Sequence, residues 1–308
     1  MGCGLEEGAP SVVLSNEQLK VKVYLADAVE GYYTGPRFDW SGMVASVEYG
    51  GQVFFGEWKR RDSPNATDNV VGTAGEFGMT APLGYDDASV GSYFYKIGVG
   101  RLQKLNNEPY SFAKNYSVEG LPWKTEVGIK WIRFTQELPV ENGWGYVYTQ
   151  QIHLEEELPV FTITYNLKNT GSKRIRTDHY CHNFVVINGD VPGPDLSLSF
   201  NFDVSENDSI KDIAVFEGNK LKFLKELPLG VPLAKDIVFE EDERTIKFAV
   251  ENSEAAVGLE VAANFDVEML KFYALGKAVC VEPFFRLNLL PGEEKSWTST
   301  YEFYGVDD

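Results

Sequence analysis

Cysteine is scarce in this chain. Cys3, Cys181 and Cys280 are the only three in 308 residues, too few and too scattered for a disulfide framework or a zinc site. Cys181 and Cys280 sit inside apolar strand patterns that suit buried free thiols. No apolar run approaches the roughly 18 residues a membrane-spanning helix needs. The opening Met1-Gly2-Cys3-Gly4-Leu5-Glu6-Glu7 has neither the basic start nor the apolar stretch of a signal peptide. It also lacks the Ser or Thr at position 6 that favours myristoylation. Cys3, followed by Gly and acids, matches the lipidated cysteine of a processed lipoprotein, so localisation stays open between the cytoplasm and the periplasm or cell envelope. Positive charge is short as well: 28 Lys and Arg against 46 Asp and Glu give a net charge of −18. A general nucleic-acid binder needs a basic surface, so that class is excluded. A strongly anionic polymer is disfavoured as substrate. Helical patterning is nearly absent, the one candidate being residues 267–274 with Asp266 as N-cap.

Aromatic residues and glycine are abundant instead, with 16 Tyr, 20 Phe, 6 Trp and 29 Gly, a mixture that suits many strands joined by tight turns. Residues 19–25 alternate Leu, Val, Val and Leu against Lys, Lys and Tyr, the period of a half-buried strand. Residues 43–49 and 52–55 read as a hairpin across Gly50-Gly51. Strand patterns recur at 129–134, 144–152, 161–167, 221–223, 237–239, 245–250, 279–287 and 297–304. Residues 62–92 are the least regular part and read as long loops of the kind that form binding rims. No composition break divides the chain. The expectation is an all-β, antiparallel sandwich or barrel, with an N-terminal tail at 1–18 and a single domain over 19–308.

Two of the three histidines, His179 and His182, lie in one strand pattern that runs from Thr177 to the Asn188-Gly189 turn. Alternation puts His182 on one face with Asp178, Tyr180 and Phe184, and His179 on the other with Cys181 and Asn183. Only one of the two can readily face a common site. A histidine on a rigid strand suits proton transfer near neutral pH, and equally suits a hydrogen-bonded structural role. Glu282, just before Pro283, stands in a very apolar strand. Burial there would raise its pKa into the range of a useful base, whereas proline would place it at a sheet edge. Three Asn-x-Ser/Thr triplets begin at Asn65, Asn115 and Asn207, a pattern short enough to arise by chance.

Glu282-Pro283 in its apolar strand, followed by Leu-Pro-Gly-Glu at 290–293 and a closing aromatic strand, resembles the C-terminal end of the aldose 1-epimerases (galactose mutarotases). The His182-Asn183-Phe184 run is similar to the family's mid-chain histidine motif, and Gly100-Arg101-Leu102 to the segment supplying a substrate-binding arginine. The order Arg, His, Glu agrees across residues 19–304. The resemblance implies a large antiparallel β-supersandwich of the galactose mutarotase-like type, acting on a monosaccharide or glycan end without metal or organic cofactor. It implies Glu282 as base on the anomeric hydroxyl and His182, or alternatively His179, as acid on the ring oxygen. Arg101 or Arg37 would bind hydroxyls, with Asp39 in the same loop, and Trp40, Tyr180 or Trp123 would stack on the sugar. The family's earlier Leu-His-Gly-Gly histidine is missing; the matching stretch, 121–126, offers Lys124 as a substitute donor. That gap and the elaborate Arg37-Phe38-Asp39-Trp40 loop describe a divergent member.

Other readings stay open at this point. A non-catalytic carbohydrate-binding protein would explain the missing histidine. A glycosidase would want two carboxylates flanking the bond, and Glu282 finds only Asp39 or Asp178 as partners. A polysaccharide lyase could use Tyr180 near His182. A sugar-phosphate epimerase would need a basic cluster, for which Lys59-Arg60-Arg61 is the local candidate.

Overall fold

A computed structural model describes residues 8–61, 63–204, 209–239 and 245–306. The described residues contain no helix. Their strands form antiparallel sheets of eleven, five, four and three strands. The largest is built around the C-terminal strand Glu294–Gly305, paired on one side with Val160–Asn169 and on the other with Val257–Ala263. Trp297, Ser299, Tyr301 and Phe303 are its buried residues and Thr298, Thr300 and Glu302 face outward, the period that a half-buried strand imposes.

The five-stranded sheet runs in the order Leu233–Ile237, Met269–Leu275, Ala278–Leu289, Ile175–Cys181, Gly75–Phe77. It packs face to face on the large sheet: the Trp297 ring lies 5.1 Å from Phe285 and Phe77 lies 5.0 Å from Tyr148. Each such aromatic taken from water contributes about 1.5–3 kcal/mol, so this interface is the main core. The sheet's outer face is covered as well. Tyr180, Cys280 and Phe284 meet Phe38, Trp58 and Val70 from the irregular segments before and after the four-stranded sheet's last two strands. One strand therefore serves two interiors. Val281, Phe285 and Leu287 point into the main core, while Ala278, Cys280, Glu282 and Phe284 point the other way. The ladder from Ala278–Leu289 to Ile175–Cys181 covers 285–289 only, so Pro283 interrupts no bond on that side.

Two sequence expectations are corrected here. Residues 267–274 do not form a helix; Met269–Leu275 is a strand that pairs with Ala278–Leu289 across a tight turn with Gly276 at φ +61°. Leu270, Phe272 and Ala274 are buried and their neighbours half-buried, so the two-residue period and the cross-strand partner override local helix propensity. The supposed tail at 1–18 contains the strand Ser11–Ser15, paired with Lys20–Tyr24. Leu14 is its only fully buried residue, which leaves little periodic signal to read. Cys3 and Asn207 lie outside the described residues. Cys181 and Cys280 are free and buried.

Candidate active site

Ile175–Cys181 ends where Asn183 adopts a left-handed backbone, φ 46°, a conformation asparagine tolerates better than most residues. Its amide nitrogen donates to the carbonyls of Cys181 and Val281, and its oxygen accepts from the Tyr301 hydroxyl at 2.7 Å. This anchor fixes the residue before it. The His182 backbone N–H donates to Ala74 and that of Phe184 to Gly72, and the two rings stack at 4.0 Å. His182 thus emerges on the outer face of the five-stranded sheet, beside Tyr180, while His179 points into the main core.

Glu282 emerges on the same outer face from the neighbouring strand. Its Oε1 lies 3.2 Å from His182 Nε2, and both residues are 6 % exposed. Phe38, Phe184 and Tyr273 surround the imidazole. Burial pushes the Glu282 carboxyl up to about 8, against the pull of the Arg37 charge. Burial, helped by Arg37, pushes His182 down to about 3. Both shifts favour a neutral pair over an ion pair: burial favours the protonated carboxyl and the neutral imidazole. His182 Nδ1 is buried without a hydrogen-bond partner.

Beside the pair lies a charged network. Glu76 is fully buried and accepts from Arg37 Nε at 2.8 Å, Lys96 Nζ at 2.7 Å and the Tyr180 hydroxyl at 2.5 Å. Burial alone would raise its pKa, but Lys96 and Arg37 hold it below the usual carboxylate value. Arg37 Nη2 also donates to the Tyr180 oxygen at 2.9 Å, and its guanidinium is sandwiched between the Phe38 and Phe112 rings at 4.4 and 4.3 Å. Lys96 further reaches the Tyr110 hydroxyl. Two cations and one anion are therefore fixed next to a neutral acid/base pair, and the Arg37 charge is felt by both members of that pair.

The structure brings together only part of the expected site. His182, Glu282, Arg37 and Tyr180 converge. His179 does not: it is enclosed by Phe77, Tyr165, Phe285 and Trp297, both ring nitrogens lack partners, and burial lowers its pKa to about 3. Asp39 is also an interior residue. It accepts from the Tyr148 hydroxyl at 2.6 Å and from Ser41, and burial raises it to about 7. Trp40 donates to the Gly35 carbonyl and lines a neighbouring cavity. Trp123 packs on Phe134 and Tyr148. Arg101 is taken by Glu141, with Nε at 2.9 Å, and by Glu119 at 3.0 Å. Lys124 is largely exposed on an outer strand and pairs with Glu126 at 3.1 Å. Sequence reasoning missed Glu76 and Lys96. Glu76 stands alone in Gly75-Glu76-Phe77, and Lys96 closes the aromatic run Tyr93-Phe94-Tyr95-Lys96; a charge in so apolar a setting was the available signal. Among the described residues, no group of three or more His, Cys, Asp or Glu is placed to hold a metal ion, and no helix is long and apolar enough to cross a membrane.

No protein-family model and no curated protein matches the sequence. Solved structures do match in fold. A galactose mutarotase related enzyme from Lactobacillus acidophilus aligns with a TM-score of 0.58 at 11% identity, over 97% of this chain and 98% of its own. An aldose epimerase homologue from C. elegans aligns at 0.57 and 12%, over 97% and 100%. A galactose 1-epimerase from Lactobacillus acidophilus NCFM aligns at 0.52 and 13%, over 96% and 95%. The chain thus has the β-sandwich fold of the aldose 1-epimerase and galactose mutarotase-like proteins.

Proposed function

We propose that the chain is an aldose 1-epimerase-like isomerase that interconverts sugar anomers at Glu282 and His182. The observation carrying this reading is the 3.2 Å contact between the two side chains in a nearly closed site, with Arg37 acting on both. The anomeric hydroxyl and the ring oxygen of a sugar are bonded to the same carbon, so an acid and a base only a few ångströms apart can reach both.

The proton inventory fits one turnover. The pair carries one proton, which passes from Glu282 to His182 Nε2 as a sugar displaces the direct contact. The Arg37 charge favours the carboxylate so formed and opposes the imidazolium, so the transferred proton is poised to leave His182 for the ring oxygen. Glu282 then removes the proton of the anomeric hydroxyl while His182 protonates the ring oxygen. The C1–ring oxygen bond breaks and leaves an aldehyde. After rotation about C1–C2 the carbonyl presents its other face. Closure returns one proton from Glu282 to the new anomeric oxygen and the other from the ring-forming hydroxyl to His182. Each group serves once as acid and once as base, so the pair's one proton is neither gained nor lost.

Following freshly dissolved α-glucose and α-galactose by polarimetry or NMR tests the proposal. Acceleration by the wild type that disappears in Glu282→Gln and in His182→Ala supports it. Saccharide binding with no acceleration for any aldose would transfer the chain to the carbohydrate-binding proteins.

A further inference from the structure

One residue away from Arg37, Pro36 lines a cavity of about 570 Å³, a size typical of sites for small organic ligands. Its wall is unusual for so acidic a molecule, because none of the lining residues carries a formal charge. Thr34, Asn65, Asn115 and Ser117 bring hydroxyl and amide side chains to the lining, the Asn65 oxygen also accepting from the Ser63 hydroxyl at 2.6 Å, and the buried aromatic residues Trp40 and Tyr116 line it as well. Trp40 is held from both sides: its indole N–H donates to the Gly35 carbonyl at 2.8 Å, and its ring lies so close on Gly120 that a Cβ there would fall 2.5 Å from it. The loop is pinned by the Thr34 N–H on the Pro64 carbonyl at 2.8 Å.

The cavity connects physically with the candidate active site. Tyr116 stacks on Tyr110 at 5.5 Å, Tyr110 accepts from Lys96, Lys96 donates to Glu76, and Glu76 holds Arg37. A chain of four contacts thus links the cavity to Arg37. The chemistry of the wall selects its occupant. Side-chain amides offer a donor and an acceptor a short distance apart, which matches vicinal hydroxyls, and an uncharged wall gives a phosphate or carboxylate nothing to pair with.

We propose that this cavity is a second saccharide subsite, one that takes a neutral sugar unit. Its pairing with a sugar at Glu282 and His182 rests on the function proposed above; binding in the cavity does not. An extended or branched neutral glycan could then bridge the two, with its reducing end at the acid/base pair.

The test is an NMR titration of ¹⁵N-labelled protein that follows the side-chain amide signals of Asn65 and Asn115. The probes are lactose, maltotriose and cellotriose, with trigalacturonate as charged control. At least one neutral probe is expected to shift both signals saturably in the millimolar range. Asn65→Ala is expected to weaken that binding about tenfold, read at Asn115, and Ser117→Trp, which fills the cavity, to abolish it. The same shifts in Glu282→Gln keep the subsite independent of the catalytic reading, which the anomer-exchange assay judges separately. No shift with any neutral probe, shifts undiminished in Ser117→Trp, or equal shifts with trigalacturonate would overturn the proposal.

Discussion

His179 and His182 stand three residues apart and live in different environments. His179 fills a gap between two sheets, ringed by four aromatics, with no partner for either nitrogen. His182 lies on the opposite face, 3.2 Å from a carboxyl group and within the influence of a guanidinium. Burial lowers both to about 3, so the shift alone does not tell them apart. What differs is the company. A lowered histidine among hydrocarbon is a packing element, whereas the same residue against a raised carboxyl is half of a proton-sharing pair.

The sharpest way to break this comparison is to remove each side's polar group in turn. Glu282→Gln and His182→Ala are expected to slow enzyme-dependent anomer exchange by 10²–10⁴-fold, the usual contribution of a positioned acid or base, with circular dichroism unchanged. His179→Leu should leave the rate within about twofold. If instead His179→Leu lost the rate and His182→Ala kept it, the two faces would have to exchange roles.

Next in size is an effect on stability. Glu76→Gln leaves Arg37 and Lys96 buried without their counter-charge, which is expected to cost about 3–5 kcal/mol, measured by urea unfolding. Glu76→Gln combined with Lys96→Met should recover much of that loss, because the surplus charge leaves together with its partner.

The pH dependence separates the two faces without mutation. The pair is competent while it holds one proton, so enzyme-dependent exchange should fall as pH rises through about 8, where Glu282 loses it. A rate that climbed through pH 8 would mean that Glu282 works without the shared proton. His179 acts on stability with a fixed sign. Its folded pKa lies below its unfolded value, so the unfolded chain binds the extra proton. Stability is lost as pH falls from about 6.5 toward about 3. His179→Leu should flatten that acid limb in urea titrations between pH 6.5 and 4, whereas His182→Ala, which removes a different titrating group with the same sign, should flatten it independently and additively.

Parts of this arrangement were legible in the sequence because strands have a strict period. The strand reading of residues 177–187 separated Tyr180 from His179 correctly. The strand ends at Cys181, however, and the left-handed Asn183 breaks the alternation beyond it, so His182 takes its place from that turn and not from the period. Glu282 stood out as a charge in a continuously apolar strand. The all-β fold followed from the strand period. What was not legible is whatever depends on contacts distant along the chain. Glu76 lies in a three-residue strand between glycines, too short to show a period, and its partners come from 39 and 20 positions away in one direction or the other. Asp39 and Trp40 flank the same loop as Arg37, yet the loop's turns send Asp39 to Tyr148, Trp40 to the neighbouring cavity and only Arg37 to the pair. The strand at Met269–Leu275 was read as a helix because seven residues of mixed burial fit either period until the partner strand is known.

The smallest expected effect tests the limit of motif reading. Gly100-Arg101 has the look of a substrate arginine, and Lys124 stands where a second donor was expected. In the folded protein Arg101 is held by two carboxylates, Glu141 and Glu119, and Lys124 faces solvent beside Glu126. An arginine already forked onto a carboxylate has few donors left for a sugar hydroxyl, and a lysine pairing at the surface contributes at most about 1 kcal/mol of stability. Arg101→Met and Lys124→Ala are therefore expected to change KM for any accelerated aldose by less than twofold. Arg37→Met should raise it far more, since the Arg37 charge acts on both members of the pair. A tenfold rise in KM for Arg101→Met with Arg37→Met near wild type would show that the sugar lies along the three-stranded sheet, and that the substrate arginine is the one the motif named.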